Sequence, residues 1–550
     1  MNRTAWIGVI VAIVLVAVGV GAFVVLTSGG PTTPNEAMGA PRYVEEAEAA
    51  GVDHAYDGDW TFFVGGGVAA FDCDDDRKPD LYFAGGVNPA GLYRNDSPIA
   101  GSLQFSEVLD SGIDLDGVTG AYPVDIDSDG HTDLAVLRFG ENVLFRGLGE
   151  CRFERANEAL DFDGGDEWTA GFSATWEGEN ALPTLAIGMY VELDEDGRQN
   201  GDCSDNRLFR PTGLTYGEPI LLSPGWCTLS LLFSDWDRSG RRDLRVANDK
   251  HYYSDGEEQL WRMEEGQPPR LYTREDGWKK LQIWGMGIAS HDVTGDGYPE
   301  VYLTSQGDNK FQELSEGPEQ PIYSDIAIRR GLTAHRPYTG GDVLPSTGWH
   351  PEFQDVNNDG FTDLFVSKGN VDAMPEYAAQ DPNNLLLGQP DGTFVEGAVD
   401  AGIVHFNRSR GAALVDLNLD GLLDLIEVNR VANVNLLRNV GSGDAASAVP
   451  MGNWIAIQLE QPGVNPDAIG SWVEVKVGDL TVQTEATIGG GHAGDQTGWV
   501  HFGLGPSEEA EVRVQWPDGT VGPWMKVDAN QFVDIERNVE EPTVWVPFEG

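Results

Sequence analysis

Asp125-Ile-Asp127-Ser-Asp129-Gly-His-Thr-Asp133-Leu places aspartates at positions 1, 3, 5 and 9 of a nine-residue loop, with glycine at position 6. Carboxylates at this spacing, joined by the backbone carbonyl of position 7, can wrap round one hard cation. Ca²⁺ asks for six to eight such oxygens at about 2.3–2.6 Å. The same loop recurs from Asp72 to Asp80, Asp235 to Asp243, Asp292 to Glu300, Asp355 to Asp363 and Asp416 to Asp424. A degenerate copy from Trp176 to Thr184 keeps the frame and has lost the acidic ligands, and with it the loop starts are 53, 51, 59, 57, 63 and 61 residues apart. An even period of this length marks a repeat architecture of seven units.

Outward from each loop, an apolar strand of small residues enters (Val68 to Phe71, Gly411 to Val415) and a β-prone strand leaves (Leu81 to Ala84, Leu364 to Val366). A third strand such as Asn435 to Arg438 follows, then an element that starts at an aromatic and ends at glycine, as in Phe105 to Gly112, Tyr323 to Gly331 and Phe394 to Gly402. Four strands repeated radially predict a β-propeller blade. An EF-hand is excluded, because position 12 is Phe83, Val136, Val246, Leu303 or Val366, acidic only at Glu427, and the flanks read as strands. The last repeat lacks an aromatic-to-glycine element and one precedes the first repeat, from Tyr43 to Gly51. Two readings of that segment stand: the outer strand of the last blade, closing the ring, or a short helix capping the entry.

The expected ligands are Asp72, Asp74, Asp76 and Asp80; Asp125, Asp127, Asp129 and Asp133; Asp235, Asp237, Ser239 and Asp243; Asp292, Thr294, Asp296 and Glu300; Asp355, Asn357, Asp359 and Asp363; and Asp416, Asn418, Asp420 and Asp424. They predict five or six Ca²⁺ sites, the Asp125 loop the most complete. Ser239 and Thr294 predict weaker binding in their loops. Arg77 stands where the others have glycine, so a left-handed backbone there could cost about 1–2 kcal/mol.

Lys plus Arg number 35 against 89 Asp plus Glu, a net charge of -54, which excludes nucleic acid as a partner. Six divalent ions would offset little of that charge, so most of the acidity lies on the surface. Ala5 to Leu26 is uncharged and long enough to span a bilayer as one N-terminal transmembrane helix. Arg3 before it and the acidic chain after it predict a single-pass membrane protein with an extracytoplasmic C-terminus; a cleaved signal, giving a secreted or periplasmic protein, is the alternative. In an oxidising compartment Cys203 with Cys227 is the favoured local pair, leaving Cys73 with Cys151, although four cysteines allow three connectivities or four free thiols.

Beyond the flexible stretch 441–450 the acidic repeat stops. Trp454 to Leu459, Trp472 to Val477, Val512 to Trp516 and Phe532 to Ile535 alternate as half-buried strands, predicting a small β-sandwich or barrel. The acidic repeats resemble the FG-GAP/VCBS repeats of integrin-like propellers. The tail, with Gly470, His501-Phe-Gly-Leu-Gly505 and Trp516-Pro-Asp-Gly519, is similar to the ASPIC/UnbV domain of cartilage acidic protein and many bacterial surface proteins. The resemblance implies an all-β, seven-bladed, Ca²⁺-binding extracytoplasmic protein and supplies no catalytic residue. The expected organisation is an anchor or signal at 1–27, a linker at 28–40, the propeller at 41–440, a linker at 441–450, the ASPIC/UnbV-like domain at 451–538 and a tail at 539–550.

No Gly-x-Ser-x-Gly, His-Glu-x-x-His or phosphate-binding loop is present. Gly489-Gly-Gly-His-Ala-Gly494 fits a dinucleotide motif in letters but lacks the following helix. The favoured function is a membrane-tethered calcium-binding module for a surface protein or glycan, in adhesion or recognition. The alternative is an extracellular hydrolase or lyase acting on the propeller's central face, which would require a deep pocket with paired carboxylates outside the metal loops.

Overall fold

The computed structural model describes residues 36–193, 199–249 and 255–548. Between Val68 and Asn439 the chain lays down seven antiparallel strand groups in succession, counted here as sheets; Ile488–Gly489 joins the third and fourth into one nine-stranded sheet, and Val191–Leu193 with Gln199–Cys203 forms a separate two-stranded hairpin. Their first strands are Val68–Phe71, Val118–Val124, Thr169–Thr175, Thr228–Ser234, Gly285–His291, Gly348–Gln354 and Arg408–Val415. Each acidic loop is the hairpin between first and second strands: Val124 lies opposite Asp133 and Val415 opposite Asp424. The first strands of the second, third and fourth sheets are buried at every residue, because both faces are covered, which explains their unbroken apolar and small-residue reading. Each first strand packs against the next, and Arg408–Val415 comes back against Val68–Phe71, so their neighbour order is cyclic.

The seventh sheet takes its fourth strand from the other end of the chain. Tyr43–Glu45 pairs with Asn435–Asn439, with Tyr43 opposite Asn439. The Tyr43 hydroxyl donates to the Leu423 carbonyl at 3.2 Å, and Arg438 sits 2.9 Å from Glu46. A one-turn helix, Ala47–Ala50, follows at once and ends on Gly51 at φ +88°. Both readings of this segment therefore occur, one after the other. The same strand, helical turn and left-handed glycine recur at Tyr323–Gly331 and Phe394–Gly402, where glycine supplies the αL cap without a Cβ clash.

Of the three possible connectivities the cysteines form Cys73–Cys151 and Cys203–Cys227. The C-terminal residues build two four-stranded sheets, one from Asn453–Glu460, Val500–Gly505, Gln531–Glu536 and Thr543–Trp545, the other from Trp472–Val477, Leu480–Glu485, Glu509–Gln515 and Met525–Asp528. They share one core containing Ile455, Ile457, Val473, Val512 and Val533, a small sandwich. Two expectations change here. The stretch 441–450 is folded, its Gly441 carbonyl accepting from the Arg42 amide at 2.9 Å. The expected tail also contributes a strand, Thr543–Trp545, to the first of these sheets.

The expectation of a single-pass membrane protein is corrected. Among the described residues no helix is long and apolar enough to cross a membrane. The Ala5 to Leu26 stretch on which that expectation rested lies outside the described residues.

Candidate metal loops and central plug

The six acidic loops share one hydrogen-bond plan. The position-1 carboxylate accepts from the position-6 amide: Arg77 at 2.7 Å, Gly130 at 3.0 Å, Gly240 at 2.9 Å, Gly297 at 3.0 Å, Gly360 at 2.7 Å and Gly421 at 2.7 Å. At position 9 of the Asp72, Asp125, Asp355 and Asp416 loops one oxygen accepts from the position-2 amide, as Asp133 does from Ile126 at 2.9 Å and Asp424 from Leu417 at 3.0 Å. The other oxygen reaches across to the third strand, to the amide of Gly147 or Asn439 at 2.7 Å. Position 4 is left-handed throughout: Asp75, Ser128, Arg238, Gly295, Asn358 and Leu419 have φ between +55° and +72°. The backbone thus turns each loop inside out and aims its carboxylates inward.

Position 3 is where a missing partner shows. Asp74 Oδ1, Asp127 Oδ1 and Asn418 Oδ1 are buried and accept no hydrogen bond, and at position 1 the same is true of Asp235 Oδ1. Asp72, Asp74 and Asp80 each bring an oxygen within 4.8 Å of the others, as do Asp125, Asp127 and Asp133, and Asp292, Asp296 and Glu300. Burial raises Asp125 to about 7 and Asp133 to about 8, the direction expected of desolvated carboxylates. These donor sets fit a hard cation. Arg77, at left-handed φ +66°, is held by Asp534 at 2.7 and 3.0 Å and stacks between Trp499 and Trp545.

Protein cations also reach the Asp72 and Asp125 loops, Arg146 bridging Asp127 at 2.9 Å and Asp129 at 2.6 Å and Lys78 lying 2.8 Å from Asp76; the remaining loops have other protein partners. In the Asp355 loop, Asp359 accepts from the Met38 amide at 2.6 Å, and Asn357 donates to the Gly39 carbonyl at 3.2 Å while accepting from the Asp359 amide at 3.1 Å. In the Asp292 loop, Thr294 donates to Glu300 at 2.9 Å and Gln483 of the C-terminal sandwich donates to Asp292 at 2.5 Å. Asn418 donates to the Gly101 carbonyl at 2.7 Å, and Asp420 accepts from the Leu422 amide at 3.0 Å. The Asp235 loop does not bring its ligands into an open cluster: Asp237 and Asp243 are both bridged by Arg241.

The C-terminal sandwich rests on this loop face, and position 4 is its main seat. Ser128 Oγ accepts from the Asn465 amide at 3.0 Å; Asn358 accepts from the Gly505 amide at 2.8 Å and bonds His501 at 2.7 Å; Arg238 reaches Gln515 and Glu474 and lies 4.0 Å over the Trp472 ring. Leu419 packs with Trp454, Ala456 and Phe532. Nothing in the varied side chains at position 4 announces this common role.

The glycine-rich segment fills the axis of the ring of first strands. Gly489 lies between Ser173 and Leu232, joining the third and fourth sheets. The amides of Gly490 and Gly491 donate to the carbonyls of Leu231 and Ile288, both at 2.7 Å. The His492 amide donates to His350 Nδ1 at 3.1 Å, its Nε2 accepts from Gly65 at 3.2 Å, and its Nδ1 faces the Met286 carbonyl. Ala493 accepts from the Ala121 amide at 3.2 Å, and Asp495 and Gln496 run parallel to Ala69 and Ala70. A Cβ on Gly411 would sit 3.2 Å from the His492 carbonyl. Residues 488–496 thereby meet the first strand of every sheet. Their glycines are required by close backbone approach, a role that the letters of a dinucleotide motif obscured.

Between the loop face and the sandwich lies a cavity of about 240 Å³, with Glu352, Asp467, Glu485 and Asp495 among its walls. Burial raises Asp467 to about 6, Glu485 to about 8 and Asp495 to about 7. Three of these carboxylates are tied to the plug or its neighbours: Asp495 accepts from the Gly489 amide at 2.6 Å, Glu485 from Ser234 at 2.8 Å, and Glu352 from Gln496 at 3.0 Å.

Family models match two parts of this arrangement, an FG-GAP-like repeat over residues 355–427 and ASPIC and UnbV over residues 461–542. The chain carries an FG-GAP-like repeat and an ASPIC/UnbV domain. The FG-GAP match takes in the Asp355 and Asp416 loops, and the ASPIC/UnbV match takes in the plug. The chain is also similar to Cartilage acidic protein 1 of Xenopus tropicalis, 25% identical over 212 residues that cover 36% of this chain and 30% of that protein. For the Mus musculus protein of the same name the figures are 30% over 159 residues, 26% and 21%. The chain therefore spans less than a third of these relatives' length. Among solved structures it is similar to PorZ, a bacterial surface component of the type-IX secretion system of Porphyromonas gingivalis, with TM-score 0.40, 12% identity, and coverage of 88% of this chain and 60% of that one.

Proposed function

We propose that the protein is an extracellular binding module: a seven-bladed β-propeller whose acidic loops are pinned by Ca²⁺ and whose ASPIC/UnbV domain covers the loop face. The cyclic order of seven first strands and the strand borrowed from Tyr43–Glu45 support the propeller. The unpartnered inward oxygens of Asp74, Asp127 and Asn418 support the cation. Two disulfides suit an oxidising compartment, and FG-GAP and ASPIC/UnbV domains suggest extracellular adhesion or binding.

The observation that carries binding over catalysis is the filled axis. A hydrolase or lyase on the central face needs an open cleft with free acids and bases. Here residues 488–496 occupy the centre, Glu352 and Asp495 hold them, and Glu485 is engaged by Ser234 and the Asp235 amide. The partner then meets the outer surfaces, as a surface protein or a glycan. Two experiments test this. Bound calcium is counted in the native chain and in Asp125→Ala, which is expected to lose about one ion; an unchanged count refutes the loop assignment. Immobilised full chain is screened against glycans and surface proteins, with turnover of the same glycans followed; turnover without retained binding would favour the enzyme.

A further inference from the structure

We propose that the Asp235–Asp243 loop is not a calcium site, because the guanidinium of Arg241 is its built-in cation. This rests on the reading that the other acidic loops bind calcium. Arg241 Nε donates to Asp243 Oδ1 at 2.8 Å, and its Nη2 donates to Asp243 Oδ2 at 3.1 Å and to Asp237 Oδ2 at 3.2 Å. One planar fork thus spans the carboxylates of positions 3 and 9, the pair that in the Asp125 loop converges on an open point.

Three further observations agree. First, Asp243 is saturated. Besides Arg241, its Oδ2 accepts from Trp236 Nε1 and the Tyr272 hydroxyl, both at 2.8 Å, and its Oδ1 accepts from the Met263 amide at 2.9 Å. Its counterpart Asp133 accepts from two amides, those of Ile126 and Gly147, and keeps lone pairs for an ion. Second, position 5 is Ser239, so the carboxylate that Asp129 supplies is gone. Third, the charge is balanced within the loop: Asp235, Asp237 and Asp243 stand against Arg238, Arg241 and Arg242, whereas 125–133 carries four aspartates and no Lys or Arg, and Arg146 from the third strand bridges only Asp127 and Asp129, at 2.9 and 2.6 Å, leaving Asp125 and Asp133 without a guanidinium. A divalent ion entering the Asp235 loop would have to displace a bidentate guanidinium from Asp237 and Asp243.

The consequence is a metal-independent anchor for the C-terminal sandwich. Arg238 of the same loop lies 4.0 Å over Trp472 and reaches Glu474 and Gln515, and Glu485 accepts from the Asp235 amide at 3.0 Å. These contacts persist in the proposal whether or not calcium is present.

The test counts ions bound to the full chain by equilibrium dialysis. Asp127→Asn is expected to lower the count by about one, and the matching change Asp237→Asn to leave it unchanged. Arg241→Phe, which copies Phe361 at the same position of the Asp355 loop, frees Asp237 and Asp243 and is expected either to add an ion or, if none enters, to melt lower than the native chain at every calcium concentration. A fall of one ion in Asp237→Asn overturns the proposal, as does an Arg241→Phe chain with native count and native melting. No bound calcium in the native chain would instead overturn the calcium reading itself, and leaves a separate signature because Asp127→Asn then changes nothing.

Discussion

Replacing Gly67 with alanine tests the plug most directly. A Cβ built there lies 1.7 Å from the Ala493 carbonyl oxygen and 2.3 Å from its carbon. Both are backbone atoms, so no side-chain rotation relieves the overlap. Restoring a contact of about 3.5 Å requires the two chains to part by about 2 Å, which breaks the Ala121–Ala493 bond and strains the adjoining Gly65–His492 bond. Two buried hydrogen bonds at about 1 kcal/mol each, with about 1–3 kcal/mol of overpacking, give a loss of about 3–5 kcal/mol. Urea unfolding followed by tryptophan fluorescence reads it as a lower midpoint. Gly39→Ala is the control, since its Cβ meets nothing within 4 Å, and it is expected to stay within about 0.5 kcal/mol. Gly494→Ala, whose Cβ falls 2.1 Å from the Val68 carbonyl oxygen, acts on the same joint, so the double variant is expected to lose less than the sum. A Gly67→Ala chain that unfolds with the native one refutes the closed axis.

Burial lowers His492 to about 3, with Arg410 and His350 facing it. The unfolded chain therefore binds the extra proton between about pH 3 and 6.5; this contribution is full above pH 6.5 and falls by about 1.4 kcal/mol per pH unit below it. His492→Gln is expected to flatten the pH dependence of unfolding by about one proton in that window, and an unchanged slope counts against burial. Removing Cys73–Cys151, which closes 78 residues, is expected to cost about 4–5 kcal/mol, and removing Cys203–Cys227, which closes 24, about 3–4 kcal/mol on the chain-entropy account. Denaturation of the two double serine variants checks both the size and the order.

The repeat was legible because its signal is local: one nine-residue pattern fixes a hairpin, and the apolar strands on either side fix its pairing. The out-of-phase Tyr43 segment was legible for the same reason, as a surplus element at one end and a missing one at the other. What escaped was non-local. The role of Gly489 to Gly494 was hidden because its partners, Gly67, Ala121 and Ile288, lie hundreds of residues away, and a glycine needed for close approach looks like one needed for a turn. Arg241 escaped because the pattern scores positions 1, 3, 5 and 9, and it occupies position 7. The summed charge of 235–243, three aspartates against three arginines, was the available signal.

Position 4 links these parts. In a nine-residue hairpin whose carboxylates point inward, the left-handed residue must face outward, and the ASPIC/UnbV sandwich grips Ser128, Arg238, Asn358 and Leu419. An ion inside a loop and a domain outside it therefore stabilise the same backbone turn, and ligands that favour one conformation reinforce each other. Chelation is expected to loosen the seat at Ser128, Asn358 and Leu419 and to leave the Arg238 seat, held by Arg241, in place. Hydrogen exchange in excess chelator reads this residue by residue: amides around Asn465 and Gly505 are expected to exchange faster, and those around Trp472 and Gln515 to stay protected. Equal acceleration at all four seats would show that the Asp235 loop depends on an ion like the rest. No acceleration anywhere would show that the domain grips loops whose shape owes nothing to calcium.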